Sequence, residues 1–353
     1  MRVVLGVLGV ALFAAAAVAG EPGRPGPSRS DSPAPKAAAP EAPQPQGPAD
    51  ANLPEPARIA WRTSAAEALK EAAKADRLVL LAFLADWSQP CAMMGRGTFG
   101  SKPVALAIER HFIPVRIDDS KNLSPTSQTY HVRVYPTVIF LTAAGDVLLT
   151  VEGTRTPKDF QPILEQVVVL PGLMAAQKEK PDDLEANFAL GNGLALLNQV
   201  SRAAPYLERA AQLDADNRRG RRSQARLILA LAPLEEGDSA AALRLLKQFE
   251  VDFKGDPQVP TAVFFQGAVL FQDGKLEEAR EVFVRMQKEF PKHPKTYDAD
   301  KAILAIDGRL AYRKRMEETG AASPKEPSPP AQKEPPPAQK TPPPPAVKPK
   351  PKG

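Results

Sequence analysis

Proline decides where this chain can form a packed core. Of 39 prolines, 11 fall within residues 21–58 and 13 within residues 324–353. Proline supplies no backbone donor, and its neighbours in both segments are small or polar, so neither segment can build a core. Setting these aside with an apolar N-terminal stretch leaves roughly 265 residues, the size of about two domains at ~100–200 residues each.

Residues 1–19 have the pattern of a secretory signal: Arg2, an Ala-rich apolar run, then Ala17-Val18-Ala19 as a small-x-small cleavage site. The alternative is an uncleaved membrane anchor. No Cys follows the run, which argues against lipid anchoring. The expectation is an exported chain, periplasmic or extracellular, and soluble after cleavage. Residues 20–58 read as a Pro/Ala-rich disordered linker reaching roughly 120 Å at ~3.1 Å per residue. Residues 319–353 read as a Pro/Lys-rich disordered tail in which Pro330-Ala331-Gln332-Lys333 recurs as Pro337-Ala338-Gln339-Lys340. The tail holds six Lys and two Glu, most of the chain's net charge of +5, so the rest is nearly neutral. That balance gives no nucleic-acid-binding surface. It leaves the tail as either a basic arm for an anionic cell surface or a solvated extension.

One Cys excludes an internal disulfide framework and a Cys-based zinc site, and three scattered His give no metal cluster. No cofactor or metal is expected.

Residues 59–171 alternate in period. Residues 63–75 have helical spacing, with Ser64 placed to cap. Residues 78–84 are a continuous apolar run suited to a buried strand. Residues 92–111 are helical with a break near Gly95–Gly100. Residues 112–117 form a strand, 138–141 and 147–151 a hairpin, and 157–168 an amphipathic helix. This order predicts a mixed sheet with helices on both faces.

Within that frame Asp86-Trp87-Ser88-Gln89-Pro90-Cys91 follows the first strand, and Val134-Tyr135-Pro136-Thr137 comes 45 residues after Cys91. These segments resemble the thioredoxin active-site turn and its facing cis-proline loop, and Gly153 fits the same family. The resemblance covers about 110 residues and implies an α/β thioredoxin-like sandwich. In that family the first Cys, at a helix N-terminus, is the attacking thiolate. Here that position is Ser88, too basic to replace a thiolate without an adjacent base. Cys91 holds the place of the buried resolving thiol, and Ala82 that of the proton-handling Asp. Trp87, Ser88, Pro90 and Cys91 therefore form a degenerate active site, with no confident catalytic residue. Three readings of Cys91 stand: a small buried hydrophobe, a mixed-disulfide thiol, or a soft metal ligand with Met93 and Met94. Tyr135, Pro136 and Thr137 keep the means to hold an extended peptide by backbone pairing whatever the thiol does.

Residues 172–181 read as a hinge and 182–318 as a helical repeat. Small residues recur at Gly191, Ala230 and Gly267, and again at Ala203, Ala242 and Ala279. Each of the latter is followed four residues on by Leu207, Leu246 or Phe283. Small residues allow helices to cross closely and large ones fill the space beside them. The pattern resembles tetratricopeptide (TPR) repeats, most clearly from Gly267 to Pro291, with residues 297–315 as a capping helix. A non-repeating bundle is the alternative. Pro205 and Pro233 strain the pattern, and a helix start near Pro205 with a kink or end near Pro233 would relieve it. Phe188, Asn192, Phe264 and Phe271 are candidates for a partner-binding groove, the alternative being that the aromatics pack between repeats. Phe188 and Phe265 occupy positions where a carboxylate clamp would need polar groups.

The whole chain resembles the chaperedoxins, which join a thioredoxin domain to such repeats and include Ser-x-x-Cys members that hold unfolding proteins. An export signal and Pro-rich ends are departures. Trp61, Ser64 and Phe99 resemble an exported thioredoxin subgroup. The resemblance implies a non-catalytic interaction module, either a holdase for unfolded or extended clients or a scaffold for a specific envelope protein. The alternative is a thiol–disulfide oxidoreductase-like protein acting through Cys91.

Overall fold

The computed structural model describes residues 59–319. The signal, linker and tail expectations lie outside the described residues. Residues up to Ile303 form one unit and those from Leu304 another.

Helix α1 (Ala65–Ala75) opens the first unit, its N-terminal amide at Glu67 accepted by Ser64. Strand β1 (Leu78–Leu84) follows. Helix α2 (Gln89–Met93) widens into a π-turn at Met94–Phe99 before α3 (Lys102–His111). Then come β2 (Phe112–Asp118), α4 (Pro125–Thr129), β3 (Thr137–Leu141) and β4 (Val147–Glu152). The sheet order is β2-β1-β3-β4, with β1 parallel to β2 and the other pairs antiparallel.

β1 is apolar throughout because both its faces are covered. Val79, Leu81 and Phe83 join Ala68 and Ala72 of α1 in one core. Leu80, Ala82 and Leu84 turn to the other face, with Val104 and Ile108 of α3. On that second face Trp61, Phe99, Phe160 and Phe140 make successive edge or tilted ring contacts at 5.2–6.2 Å.

Helix α5 (Pro157–Glu179) corrects the expected boundary. The sequence suggested a helix ending at 168, a domain ending at Pro171 and a hinge over 172–181. The helix instead runs through Pro162 and Pro171 to Glu179. An interior proline costs about 3 kcal/mol. Burial of Phe160, Leu164, Val167 and Leu170 offsets that cost at ~1.5–3 kcal/mol per fully buried large apolar side chain. Beyond Pro171, Leu173 packs on the next helix: a Cβ at Gly193 would lie 2.9 Å from Leu173 Cδ1. Tertiary packing therefore holds the helix past the point where local sequence would release it.

The helical region continues as α6 (Leu184–Leu196), α7 (Val200–Leu213), α8 (Arg221–Leu229), a 3₁₀ turn (Ala232–Glu236), α9 (Ser239–Asp252), α10 (Val259–Gln272), α11 (Leu276–Glu289) and α12 (Pro294–Thr319). The small residues stand at the close crossings. A Cβ on Gly191 would meet Leu207 Cγ at 2.7 Å, and one on Gly267 would meet Phe283 Cε1 at 2.6 Å. Ala203, Ala242 and Ala279 are fully buried. α8 stops just before Pro233, as expected. Pro205 differs from expectation: α7 starts five residues earlier, so this proline is interior. The early start is capped from a distance, the Glu235 carboxylate accepting from the Val200 and Ser201 amides and the Ser201 hydroxyl.

The thioredoxin-like part and the first repeat share one core. Leu149, Leu164, Val167 and Leu170 lie in the same cluster as Leu190, Leu194, Val200 and Leu207. A register shift beside Leu148 in edge strand β4 turns two successive leucines, Leu148 and Leu149, inward. The Leu148 carbonyl accepts from Gln199 Nε2 at 3.2 Å and Arg202 Nη1 at 3.0 Å. The sheet edge is thus partly covered by the repeats.

Candidate functional site

Ser88 is the N-cap of α2. Its backbone is extended, its Oγ accepts from the Cys91 amide at 3.4 Å, and Pro90 sits in the first turn. Serine is among the best residues for this role because its oxygen accepts from an amide the helix leaves unpaired. The Ser88 hydroxyl is therefore occupied in capping, and Ser88 is 6% exposed. Cys91 is 5% exposed. It shares a core cluster with Ala82, Leu84 and Met94. Met94 is buried while Met93 is exposed, which keeps the two thioethers from converging on Cys91. Among the described residues no group of three or more His, Cys, Asp or Glu could hold a metal ion.

A cavity of about 300 Å³ borders Cys91, lined also by Trp61, Arg96, Phe99 and Arg116. The one carboxylate in its lining, Asp86, is paired with Arg116 at 3.8 Å.

Trp87 is 66% exposed and meets the Tyr135 ring edge-to-face at 5.5 Å. Tyr135–Pro136 is a cis peptide bond. The loop is tied on several sides. The Pro136 carbonyl accepts from the Gly153 amide at 2.7 Å, where φ of +79° suits glycine. Thr137 Oγ1 donates to the Val134 carbonyl at 2.7 Å. Thr154 Oγ1 donates to the Pro90 carbonyl at 3.2 Å, joining the segment after β4 to α2. Trp87, Ser88, Pro90, Cys91, Tyr135, Pro136 and Thr137 thus belong to one tied constellation.

Sequence reasoning missed Asp119. This carboxylate, 6% exposed, accepts from the Ser124 amide at 2.8 Å, the Ser127 hydroxyl and the Tyr135 hydroxyl at 2.8 Å. It fixes α4 and the ring that supports Trp87. Burial first, and then Asp119, push the Tyr135 phenol well above its usual pKa. An Asp after a strand carries no local signal for this role, because its partners come from α4 and from 16 residues along the chain.

The groove candidates separate. Phe188 is buried beneath the Arg221 guanidinium, 4.4 Å from its centroid. Phe264 is buried against Phe265 and Phe283, with Lys295 Nζ 5.1 Å from its ring. Both pack within the helical layers rather than lining an open groove, a correction to the groove expectation. Asn192 and Phe271 are half-buried.

Residues 65–168 match the family profile of a thioredoxin-like domain, and residues 227–294 that of a tetratricopeptide repeat. The chain therefore carries a thioredoxin-like domain followed by TPR repeats, which makes it a protein-interaction module with a thioredoxin fold. Among solved structures, a thioredoxin from Thermus thermophilus is 23% identical, covers 35% of this chain and 96% of its own, with a TM-score of 0.31. A DsbH oxidoreductase is 20% identical over 35% of this chain and 96% of its own, TM-score 0.29. The C-terminal domain of DsbD from Neisseria meningitidis, in its oxidised form, is 25% identical over 30% and 98%, TM-score 0.27. No curated protein matches the chain.

Proposed function

We propose that this chain is an exported, non-catalytic protein-binding module, holding unfolded or extended segments of client proteins in the cell envelope. The observation that carries the reading is the pairing of an exposed Trp87 with a Ser88 engaged as a helix cap. The recognition face of the thioredoxin fold is kept while its attacking group is gone. An extended client would pair its backbone beside the cis-proline loop and lay an apolar side chain on Trp87. The repeats, sharing a core with the domain, supply further surface at a fixed position.

The test is light scattering from a thermally unfolding client, with the chain and its Cys91→Ala variant in parallel. Equal suppression by both supports a thiol-independent holdase. Suppression lost in Cys91→Ala, or absent in both, overturns it. A second reading, mixed-disulfide exchange through Cys91, draws on the cavity beside that thiol. It requires rapid alkylation of Cys91 in the folded chain, and reaction only after denaturation would remove it.

A further inference from the structure

Helices α3 and α5 leave an apolar groove of about 380 Å³ between them, away from the cis-proline site. Leu106, Ala107, Arg110 and His111 form its α3 wall, Leu164 and Val168 its α5 wall. Leu106 is 55% exposed there, an unusual setting for a large aliphatic side chain beside others. Arg110 is exposed and makes no ion pair among the described residues. His111 is held below its usual pKa by burial, with Arg110 and Arg77 adding to the effect, so it stands neutral at the α3 end of the groove. Glu165, on the α5 wall, accepts from Gln161 Nε2 at 3.2 Å.

The course of the N-terminal chain points to an occupant. The Ala60 amide donates to Glu109 Oε1 at 2.6 Å, and Ile59 packs on the same core as Ala107 and Val168. Glu109 lies three residues after Leu106 and one before Arg110 on α3, so the chain meets the folded body within about one helical turn of the groove. Immediately upstream is Leu53-Pro54-Glu55-Pro56-Ala57-Arg58. Leu53 is the single large aliphatic or aromatic residue between positions 21 and 58. Six residues at ~3.1 Å each give a reach of about 19 Å, enough to place Leu53 in the groove.

We propose that Leu53 seats in the α3/α5 groove in cis, with Glu55 against Arg110, so that the Pro-rich segment is clamped to the thioredoxin-like domain at its last turn of sequence. Proline on both sides of Glu55 pre-sets an extended backbone, which lowers the ordering entropy such docking must overcome. A tether this short supplies an effective concentration in the millimolar range, so one apolar anchor and one ion pair suffice. The proposal is independent of the holdase reading.

Cysteines placed beside the anchor rather than on it provide the test. In a Cys91→Ala background, Asn52→Cys and Glu165→Cys are combined, which leaves Leu53, Glu55 and Arg110 in place, and disulfide formation is timed under mild oxidation with and without Leu53→Asp. Circular dichroism checks that each variant is folded. A drop of fivefold or more in the intrachain rate on adding Leu53→Asp, matched by Leu106→Asp, is the expected result. A smaller drop means the tether samples the groove freely and overturns the proposal. A disulfide formed between chains assigns the groove to a second copy and overturns it equally.

Discussion

The TPR reading rests on small residues standing where helices cross, and Gly267→Ala tests it directly. An ideal Cβ at this position lies 2.6, 2.8 and 2.9 Å from three atoms of the Phe283 ring. That ring is 1% exposed and also meets Phe264, three residues before Gly267 on the same helix, centroid to centroid at 5.7 Å. Buried in a close-packed core, it has little room to swing aside. Alanine is favoured over glycine within a helix by about 1 kcal/mol, so the substitution gains propensity and loses packing. Overpacking a close-packed core costs about 1–3 kcal/mol, occasionally more. At Gly267 three close ring contacts place the effect at the upper end, and we expect a net destabilisation of about 1–2 kcal/mol. Gly172 is the internal control, since it lies within α5 with nothing within 4 Å of its Cβ position. Gly172→Ala gains propensity alone and should stabilise by ~0.5–1 kcal/mol. Urea unfolding followed by circular dichroism reads both, with the midpoint compared at constant slope. If Gly267→Ala is neutral, or shifts the midpoint the same way as Gly172→Ala, the helices do not cross as described and the repeat geometry is wrong.

Ser88→Ala removes a helix cap and should lower stability by about 0.5–2 kcal/mol in the same assay; no change would mean the hydroxyl is free to do something else. Tyr135 is held neutral in the folded state above its ordinary value of 10.0. Below pH ~10 both states keep the phenol proton; as pH rises further the unfolded state loses it first, so stability falls on the alkaline side. Tyr135→Phe should flatten that fall, and an unchanged alkaline limb would refute the assignment. Asp119→Ala leaves the Tyr135 and Ser127 hydroxyls without their acceptor and should cost at least ~1–3 kcal/mol. It should also loosen the ring beneath Trp87, read as a shift in its fluorescence. Arg202→Ala removes one of the two bonds to the Leu148 carbonyl. Faster hydrogen exchange in α7 is expected there, and exchange unchanged from the parent would mean the sheet edge does not pin the repeats.

Much of the fold was legible because its signals are local. The apolar run 78–84 suits a strand covered on both faces, Ser64 and Ser88 have the chemistry of helix caps, and the helix ends near Pro233 as its missing donor suggests. The glycine and alanine spacing of the repeats is also readable, because steric exclusion at a crossing leaves few residue choices.

What tertiary structure decided lies where long-range packing overrules local preference. Pro171 is a stop signal by itself, yet α5 passes through it because Leu170 is buried before it and Leu173, half-buried, packs on the core after it. Phe188 and Phe264 look the same in sequence whether they face a groove or a neighbouring helix; only the helix rotations place them inside. The Asp119–Tyr135 bond, the Glu235 cap and the bonds to the Leu148 carbonyl join residues 16 to 54 apart, and no short window of sequence contains both halves of such a bond. Sequence determines what each segment can do alone. The shared core determines which of those options every segment adopts, because burial of several large side chains outweighs the few kcal/mol that separate local alternatives.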